Sequence, residues 1–248
     1  MNLKEVFDQL TFGELAHLGV GGLEAGGVDP KNYDRLVAHV NLALSTLYRR
    51  FHLKEGRIAL ELVAGRYNYP LKSIFAVSSL GSAEAVRFIK DTLTEPFLDD
   101  IYKVARVCGD TGYEFPLNDV ESGWSVFTPT AAVLKVPALV VDQSLDVPEA
   151  IRTTGLEVVY RANHPKLEAE GKYLDPEDVE LELPYSHMDA LLLFVASRIH
   201  TPTGMTNEAN LGNIYAARYE QECQRLEQLN LQVDQGSQPD RITAKGWV

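Results

Sequence analysis

The sequence predicts an α+β protein in which helices from both ends of the chain form one bundle and the middle forms an inserted antiparallel β domain. Two patterns predict this. Apolar residues recur with a helical period near both ends, whereas the middle consists of short alternating segments bounded by Pro, Gly or Asp. The composition, with 45% hydrophobic and 23% charged residues, is that of a globular protein, and 248 residues allow one large domain or two modest ones.

The first helix is predicted over residues 1–18. Its apolar positions recur with the helical period, and Thr11 with Glu14 has the spacing of a capping box. The Gly-rich stretch over residues 19–28 predicts a connection. Glu24 occupies a position where a dinucleotide-binding fingerprint needs glycine, so this stretch is not interpreted as a phosphate-binding loop.

A longer helix is predicted over residues 31–52. Asp29 is a favourable N-cap, and Pro30 suits the first helical position because its φ is already helical and it needs no amide hydrogen there. The apolar stripe of this helix follows the 3.6-residue period and consists of Tyr33, Leu36, Val37, Val40, Leu44, Leu47 and Phe51.

The period of the apolar residues changes to two after residue 56. The apolar residues Ile58, Leu60 and Leu62 alternate with Arg57, Ala59 and Glu61. This alternation predicts a half-buried strand. A turn is predicted at residues 67–70, and a short helical segment is predicted over residues 83–93.

Residues 96–165 are predicted to be β-rich. A hairpin is expected from residues 101–108 and 113–117, joined by a turn of Gly, Asp and Thr residues. Further short strands are expected over residues 124–127, 133–139 and 156–160. This spacing is typical of a small antiparallel sheet or barrel.

The helical period returns at residue 184. Pro184 is placed at the start of a helix over residues 184–200, whose apolar positions are Met188, Leu191, Leu192, Val195 and Ile199. A break at residues 201–204 precedes a second helix over 207–231, one side of which is formed by Tyr215, Tyr219, Cys223 and Leu226.

Four segments follow from these elements. They are an N-terminal helical part with one strand (1–95), a β-rich domain (96–175), C-terminal helices that complete the bundle (176–231) and an extended C-terminal arm (232–248). The polar arm cannot build a core, yet it contains Trp and Arg, the residue types that most often anchor interfaces. Its predicted partner-binding residues are Arg241, Ile242, Lys245, Trp247 and Val248.

The net charge of −12 argues against a protein that clamps nucleic acid. Such proteins usually present a basic patch, whereas here Lys and Arg are scattered and Arg49 with Arg50 is their only adjacent pair. No run of eighteen apolar residues occurs, and the first residues contain no apolar signal core, so neither a membrane span nor secretion is predicted.

No catalytic, metal-binding or cofactor-binding site is predicted. The six histidines have neither HxH nor HxxxH spacing, and we expect them at the surface or at element edges. Cys108 and Cys223 are expected to be separate buried thiols. An alternative hypothesis is an enzyme whose site is assembled from isolated residues such as Asp119, Arg161 and His164.

Several phrases of the sequence occur in an order that resembles a known family. They are PFLDDI at 96–101, FPLND at 115–119, VFTP at 126–129, LKVP at 134–137 and VYRANHP at 159–165, followed by a helix after Leu183 and Pro184. The early helix VNLALSTLY at 40–48, followed by a strand, also fits. Over most of residues 30–231 the chain resembles the head-to-tail adaptor proteins of short-tailed bacteriophages, the tail tubular protein A type.

This resemblance implies a structural virion protein without enzymatic activity or cofactor. Copies of such an adaptor form a ring, usually of twelve, that docks beneath the portal protein and receives the tail nozzle protein. DNA passes through the channel without specific binding, and the tail fibre is a further expected partner. The implied location is the head–tail junction of the virion, with assembly in the host cytoplasm. The alternative within this class is another ring component of the neck or tail.

Overall fold

The structure is a computed structural model that describes residues 1–16, 28–79, 81, 83–143, 148–168, 175–200 and 206–229. Within these residues the protein contains both α-helices and antiparallel sheets, which confirms the predicted α+β class. The chain divides into two compact units. Unit 1 combines Met1–Leu53 with the described residues from Lys166 onward, and unit 2 is Lys54–Pro165.

The helices and strands are numbered in chain order. The α-helices are α1 (Leu3–Phe12), α2 (Tyr33–Arg50), α3 (Ala138–Val141), α4 (Met188–His200) and α5 (Thr206–Gln228). The strands are β1 (Glu55–Glu61), β2 (Asn68–Pro70), β3 (Ile89–Lys90), β4 (Ile101–Gly109), β5 (Phe127–Thr130), β6 (Val133–Lys135) and β7 (Gly155–Ala162).

Helix α1 begins with a capping box at Asn2. The Asn2 side chain accepts a hydrogen bond from the backbone N–H of Glu5 (2.9 Å), and the Glu5 carboxylate accepts one from the Asn2 N–H (3.3 Å). Thr11 lies near the end of the helix, where its hydroxyl donates to two carbonyls of the preceding turn (both 3.0 Å). The predicted capping box of Thr11 and Glu14 is therefore wrong, because the Thr11 hydroxyl is engaged inside the helix.

Helix α2 starts as the sequence predicts. The Asp29 carboxylate accepts a hydrogen bond from the Lys31 N–H (3.0 Å), and Pro30–Asn32 form a 3-10 turn that continues into α2. The buried face of α2 consists of Leu36, Val37, Val40, Ala43, Leu44, Leu47 and Tyr48. This face contains five residues of the predicted stripe, and Phe51, the next residue of that stripe, is buried just beyond the helix.

Helix α4 provides the central packing surface of unit 1, since α1, α2 and α5 all contact it. The 3-10 turn Tyr185–His187 leads into the helix after Pro184. All five predicted apolar positions of α4 are buried, and so are Ala190, Phe194 and Ala196. A helix that is apolar on almost every side needs neighbours on several sides, which is what α4 has.

Unit 2 contains two antiparallel sheets, a larger one in the order β3–β1–β7–β4 and a smaller one in the order β2–β6–β5. In the larger sheet, β1 and β7 pair from Glu55 opposite Arg161 to Glu61 opposite Gly155. The chain therefore enters and leaves unit 2 on neighbouring strands. The strands predicted near residues 58, 101–108 and 156–160 are confirmed as β1, β4 and β7.

The turn predicted at residues 67–70 and the helix predicted over 83–93 are both wrong. Residues 68–70 form β2, in which buried Tyr69 lies opposite Leu134. Residues 83–93 contain β3, and its Ile89 lies opposite Leu60 of β1. Phe88 and Ile89 are both buried. The conformation of these short segments is set by pairing with distant strands and by burial. These tertiary contacts outweigh the local sequence pattern.

The unit boundaries differ from the predicted domain boundaries. Unit 2 begins at Lys54 and ends at Pro165, whereas the β-rich domain was expected over residues 96–175. The reason is strand pairing, because β1 and β3 belong to the same sheet as β7, and β2 pairs with β6. The predicted strand over 133–139 is also shorter, since α3 begins directly after Pro137.

Candidate interaction surfaces

The predicted partner-binding residues of the C-terminal arm lie outside the described residues. They are Arg241, Ile242, Lys245, Trp247 and Val248. The docking of this arm on a partner therefore stays a prediction.

The residues of the enzyme alternative, Asp119, Arg161 and His164, have different local partners. The Asp119 carboxylate accepts a hydrogen bond from a backbone N–H two residues further on (3.0 Å). The Arg161 guanidinium lies over the Tyr102 ring at 5.7 Å, and His164 Nδ1 lies 2.5 Å from the Pro165 carbonyl oxygen. These contacts stabilise loops and strands, and none of them is a pair of a nucleophile with its base.

Three histidines are buried, so the predicted surface position is wrong for them, although each lies at or beside the end of a helix. They are His52, His187 and His200, and all three lie in unit 1. The His187 ring packs edge-on against Phe51 at 4.8 Å, and the His200 ring stacks on Tyr215 at 5.2 Å. Aromatic packing of this kind stabilises a core, and the helices rather than the spacing of the histidines bring these rings inside.

The two cysteines are separate free thiols, as predicted. Cys223 is buried, whereas Cys108 is only half-buried. Burial raises the pKa of both thiols. Because the thiolate is the reactive form of cysteine, neither environment activates a nucleophile.

Within the described parts of the chain, no group of three His, Cys, Asp or Glu side chains is placed to hold a metal ion. Among the same residues, no helix combines the length and the apolar character that crossing a membrane requires.

An open groove of about 630 Å³ lies on unit 2 beside β1, β4 and β7. Cys108 and Asp110 are among its lining residues. The Asp110 carboxylate accepts hydrogen bonds from the Thr154 N–H (2.8 Å), the Thr154 hydroxyl (2.7 Å) and the Gly155 N–H (3.0 Å). Burial raises the pKa of Asp110, but these hydrogen bonds outweigh it and the pKa is lowered. Asp110 therefore has a structural role, because its hydrogen bonds connect the turn that follows β4 to the segment that precedes β7.

Two loops of unit 2 present exposed apolar side chains. Leu93 and Leu98 are 73% and 61% exposed, and Ile74 and Val77 are also exposed. We call these four residues the loop patch. Single exposed apolar residues are common on protein surfaces, but several on adjoining loops are typical of an interaction site.

Two aspartates join the loops that carry the loop patch. Asp91 accepts hydrogen bonds from the Ser78 N–H (2.8 Å), the Ser78 hydroxyl (2.5 Å) and the Phe97 N–H (2.9 Å). Asp99, with a positive φ of 57°, accepts hydrogen bonds from the Ser73 N–H and hydroxyl (2.5 and 2.6 Å). Burial raises the pKa of Asp91, but its hydrogen bonds outweigh this effect and the pKa is lowered. The hydrogen bonds of these two carboxylates thus hold the loops in one arrangement.

The sequence pattern does not predict the loop patch. The pattern favours a helix over residues 83–93, in which an apolar residue such as Leu93 would be buried. One sequence feature could have predicted that Leu93 and Leu98 are exposed. Both lie among Thr, Glu, Pro and Asp residues, in a segment too polar to form a buried element.

Comparison with known proteins gives no family assignment. No protein-family model matches the chain, and no curated protein matches its sequence.

Proposed function

We propose that this protein is a head-to-tail adaptor of a short-tailed bacteriophage. It forms a ring that joins the portal protein to the tail nozzle protein and surrounds the DNA exit channel. The loop patch is the observation that carries this proposal, because ordered loops with exposed Leu93 and Leu98 are typical of a surface that binds protein. The order of the sequence phrases that resemble the tail tubular protein A type supports the same function.

The proposed architecture is a helical bundle with an inserted β domain. Support comes from α4, which contacts α1, α2 and α5, and from unit 1, which contains the chain on both sides of unit 2. In the proposed virion the adaptor lies at the head–tail junction, after assembly in the host cytoplasm. Its net charge of −12 would repel phosphates, so a duplex would pass without binding.

Substitution of the loop patch tests this function. Leu93→Asp with Leu98→Asp should weaken binding of the adaptor to its neighbouring ring proteins at least about tenfold, because a charge cannot be buried in an apolar contact. Binding to purified portal and nozzle proteins is measured by co-sedimentation, and attached rings are identified by electron microscopy. Val120→Asp is a control for adding a carboxylate at an exposed apolar residue, since Val120 is 87% exposed on unit 2 and outside the loop patch.

Two results would contradict the proposed function. One is unchanged binding of the Leu93 and Leu98 variant to both partners. The other is a virion reconstruction in which density for this chain is absent from the neck. Density elsewhere in the tail would favour the alternative of another ring component. The enzyme alternative is not favoured by the contacts of Asp119, Arg161 and His164 described above.

The predicted C-terminal arm has a separate test. Deleting residues 236–248 should leave thermal unfolding of the free subunit nearly unchanged, because a polar segment of this kind builds no core. The same deletion should abolish stable attachment to portal-bearing heads, because Trp and Arg side chains anchor interfaces. Normal attachment of the truncated chain would contradict the arm hypothesis.

A further inference from the structure

The solvent-facing side of the larger sheet in unit 2 carries more positive than negative charge. Strand pairing places its residues in rows, since residues opposite each other share a face. The inner face of β7 includes the core residues Leu156, Val158 and Tyr160, so Glu157, Val159 and Arg161 lie on the opposite face, where Val159 is nonetheless buried. Their outward neighbours on β1 and β4 are Glu55, Arg57, Ala59, Lys103, Arg106 and Cys108.

Two cations of this face, Lys103 and Arg106, have no ion pair among the described residues. The remaining outward cations of β1 and β7 are engaged. Arg57 lies 3.3 Å from the Glu55 carboxylate, and Arg161 lies over the Tyr102 ring. Lys103 and Arg106 belong to β4, the edge strand of the sheet. For residues 101–106, β7 is the only strand partner in the described structure.

A β-bulge sets the spacing of Lys103 and Arg106. Lys103 lies opposite Arg161 and Arg106 lies opposite Val159, because the register of β4 shifts between Val104 and Arg106. Without this shift, residue 105 would be the partner of Val159. The two cations therefore stand two β7 residues apart, which is about 6.6 Å along a strand.

Unit 1 contains an extended segment with the complementary charge. The Leu3 N–H donates to the Val179 carbonyl (2.9 Å), and the Leu181 N–H donates to the Met1 carbonyl (2.8 Å). Val179 and Leu181 pack against the core, whereas the residues that alternate with them, Asp178, Glu180 and Glu182, are exposed.

Asp178 and Glu180 are the counterparts of the two cations. Neither has an ion pair among the described residues, whereas the nearby Glu177 pairs with Lys4. Both side chains are exposed; Glu180 lies in the isolated bridge opposite Asn2, and Asp178 ends the turn that precedes it. Two nearby exposed carboxylates thus complement the two cations in charge.

We propose that Lys103 and Arg106 of one copy pair with Asp178 and Glu180 of a neighbouring copy. The two surfaces differ, so the contact is head-to-tail, and contacts of this type generate rings when the rotation closes. Copies with a charge of −12 repel one another, and a contact that juxtaposes opposite charges offsets this repulsion and sets the register. This inference deepens the proposed ring and rests on it for ring closure.

Charge exchange between variants tests this interface. Lys103→Glu with Arg106→Glu makes both surfaces acidic, and Asp178→Lys with Glu180→Lys makes both surfaces basic. Each variant alone should self-associate about tenfold more weakly than the natural chain. An equimolar mixture should recover association, because each variant then meets a surface of opposite charge. Sedimentation velocity of the full chain at low ionic strength measures this.

Lys72→Glu with Lys135→Glu is the control for the first variant, because both lower the net charge by the same amount and both control positions are exposed lysines away from this face. Three results would overturn the interface. The first is association that the charge reversals leave unchanged, and the second is a mixture of the two variants that does not recover association. The third is a natural chain that stays monomeric at high concentration and low salt. These results concern self-association alone. Absence of the chain from the virion neck would overturn the proposed function while leaving the self-association measurements intact.

Discussion

At the scale of single residues, His187 illustrates how burial sets chemical behaviour. Its side chain lies in the core of unit 1, and the residue is 1% exposed. Nδ1 lies 3.0 Å from the Ser186 hydroxyl, whereas Nε2 has no hydrogen-bond partner among the described residues. A charged ring at this position would need a second acceptor, so the neutral ring is favoured.

The contribution of His187 should be visible in how the free energy of unfolding depends on pH. Burial lowers its pKa below the ordinary value of 6.5, with a smaller opposing effect of Glu222. The unfolded chain then binds the proton more readily, so the stability contribution is present above pH 6.5 and is lost as the pH falls below it. Between about pH 7.5 and 5.5, the free energy of unfolding should fall more for the natural chain than for His187→Gln.

Urea denaturation at the two pH values measures the effect of His187. The carboxylates whose pKa is lowered, Asp91, Asp110 and Glu220, titrate below this window and therefore do not interfere. Equal pH dependence in both proteins would contradict the expectation.

Gly56 permits a close approach between neighbouring strands. It lies opposite Tyr160, and a Cβ at this position would stand 2.3 Å from the Tyr160 ring. The Tyr160 hydroxyl donates to Asp100 at 3.0 Å, which restrains the ring. Gly56→Ala should therefore lower the free energy of unfolding by about 1–3 kcal/mol, measured by chemical denaturation. Gly123→Ala is the control, since its Cβ would meet nothing within 4 Å. Similar losses in both variants would contradict this explanation.

At the scale of elements, Arg50 connects the end of α2 to α5. Its two terminal nitrogens lie 2.6 and 2.7 Å from the Glu220 carboxylate oxygens, and its Nε lies 2.7 Å from Glu227. The planar guanidinium makes this two-point contact with one carboxylate, which a lysine cannot reproduce. The link fixes which part of α5 lies beside the end of α2.

A double-mutant cycle measures this link. Arg50→Ala and Glu220→Ala should show a coupling energy of about 1 kcal/mol, because both side chains are partly exposed and screened by solvent. Added salt should reduce the coupling. The pair Arg225 and Glu222, which lies within α5, serves for comparison and should couple by about 0.3 kcal/mol. Equal coupling in the two pairs would contradict a role of Arg50 in joining the helices.

At the scale of the whole molecule, unit 2 is a compact unit whose two ends meet. It has its own hydrophobic core, separate from that of unit 1. Its first and last strands are neighbours, with Glu55 opposite Arg161, and the Ala162 N–H donates to the Lys54 carbonyl (3.0 Å). A segment with its own core, whose ends meet in this way, can fold independently of the rest of the chain.

Unit 2 should therefore fold when residues 54–165 are produced alone. We expect one cooperative thermal transition, in which circular dichroism and fluorescence change together. Trp124 is the reporter, since it packs against the core and is the only tryptophan of this segment. Separate transitions for the two probes, or no transition, would contradict an independent unit.

The sequence by itself determined the long elements. Helices α2 and α4 repeat apolar residues over several turns, and Asp29 with Pro30 marks the start of the first. The strands β1, β4 and β7 were also predicted, because their alternating or apolar segments are bounded by turn residues. In these elements the local pattern and the tertiary packing favour the same conformation.

Tertiary structure decided the short strands and the surfaces. Strands β2 and β3 have three and two residues, too few for a period, and only pairing with β6 and β1 defines them. The exposure of Leu93, the burial of His187 and the spacing of Lys103 and Arg106 likewise depend on distant contacts. The local sequence pattern reflects the conformational preference of a residue. Its burial and its charge pairing depend instead on which distant segment of the chain contacts it in the folded protein.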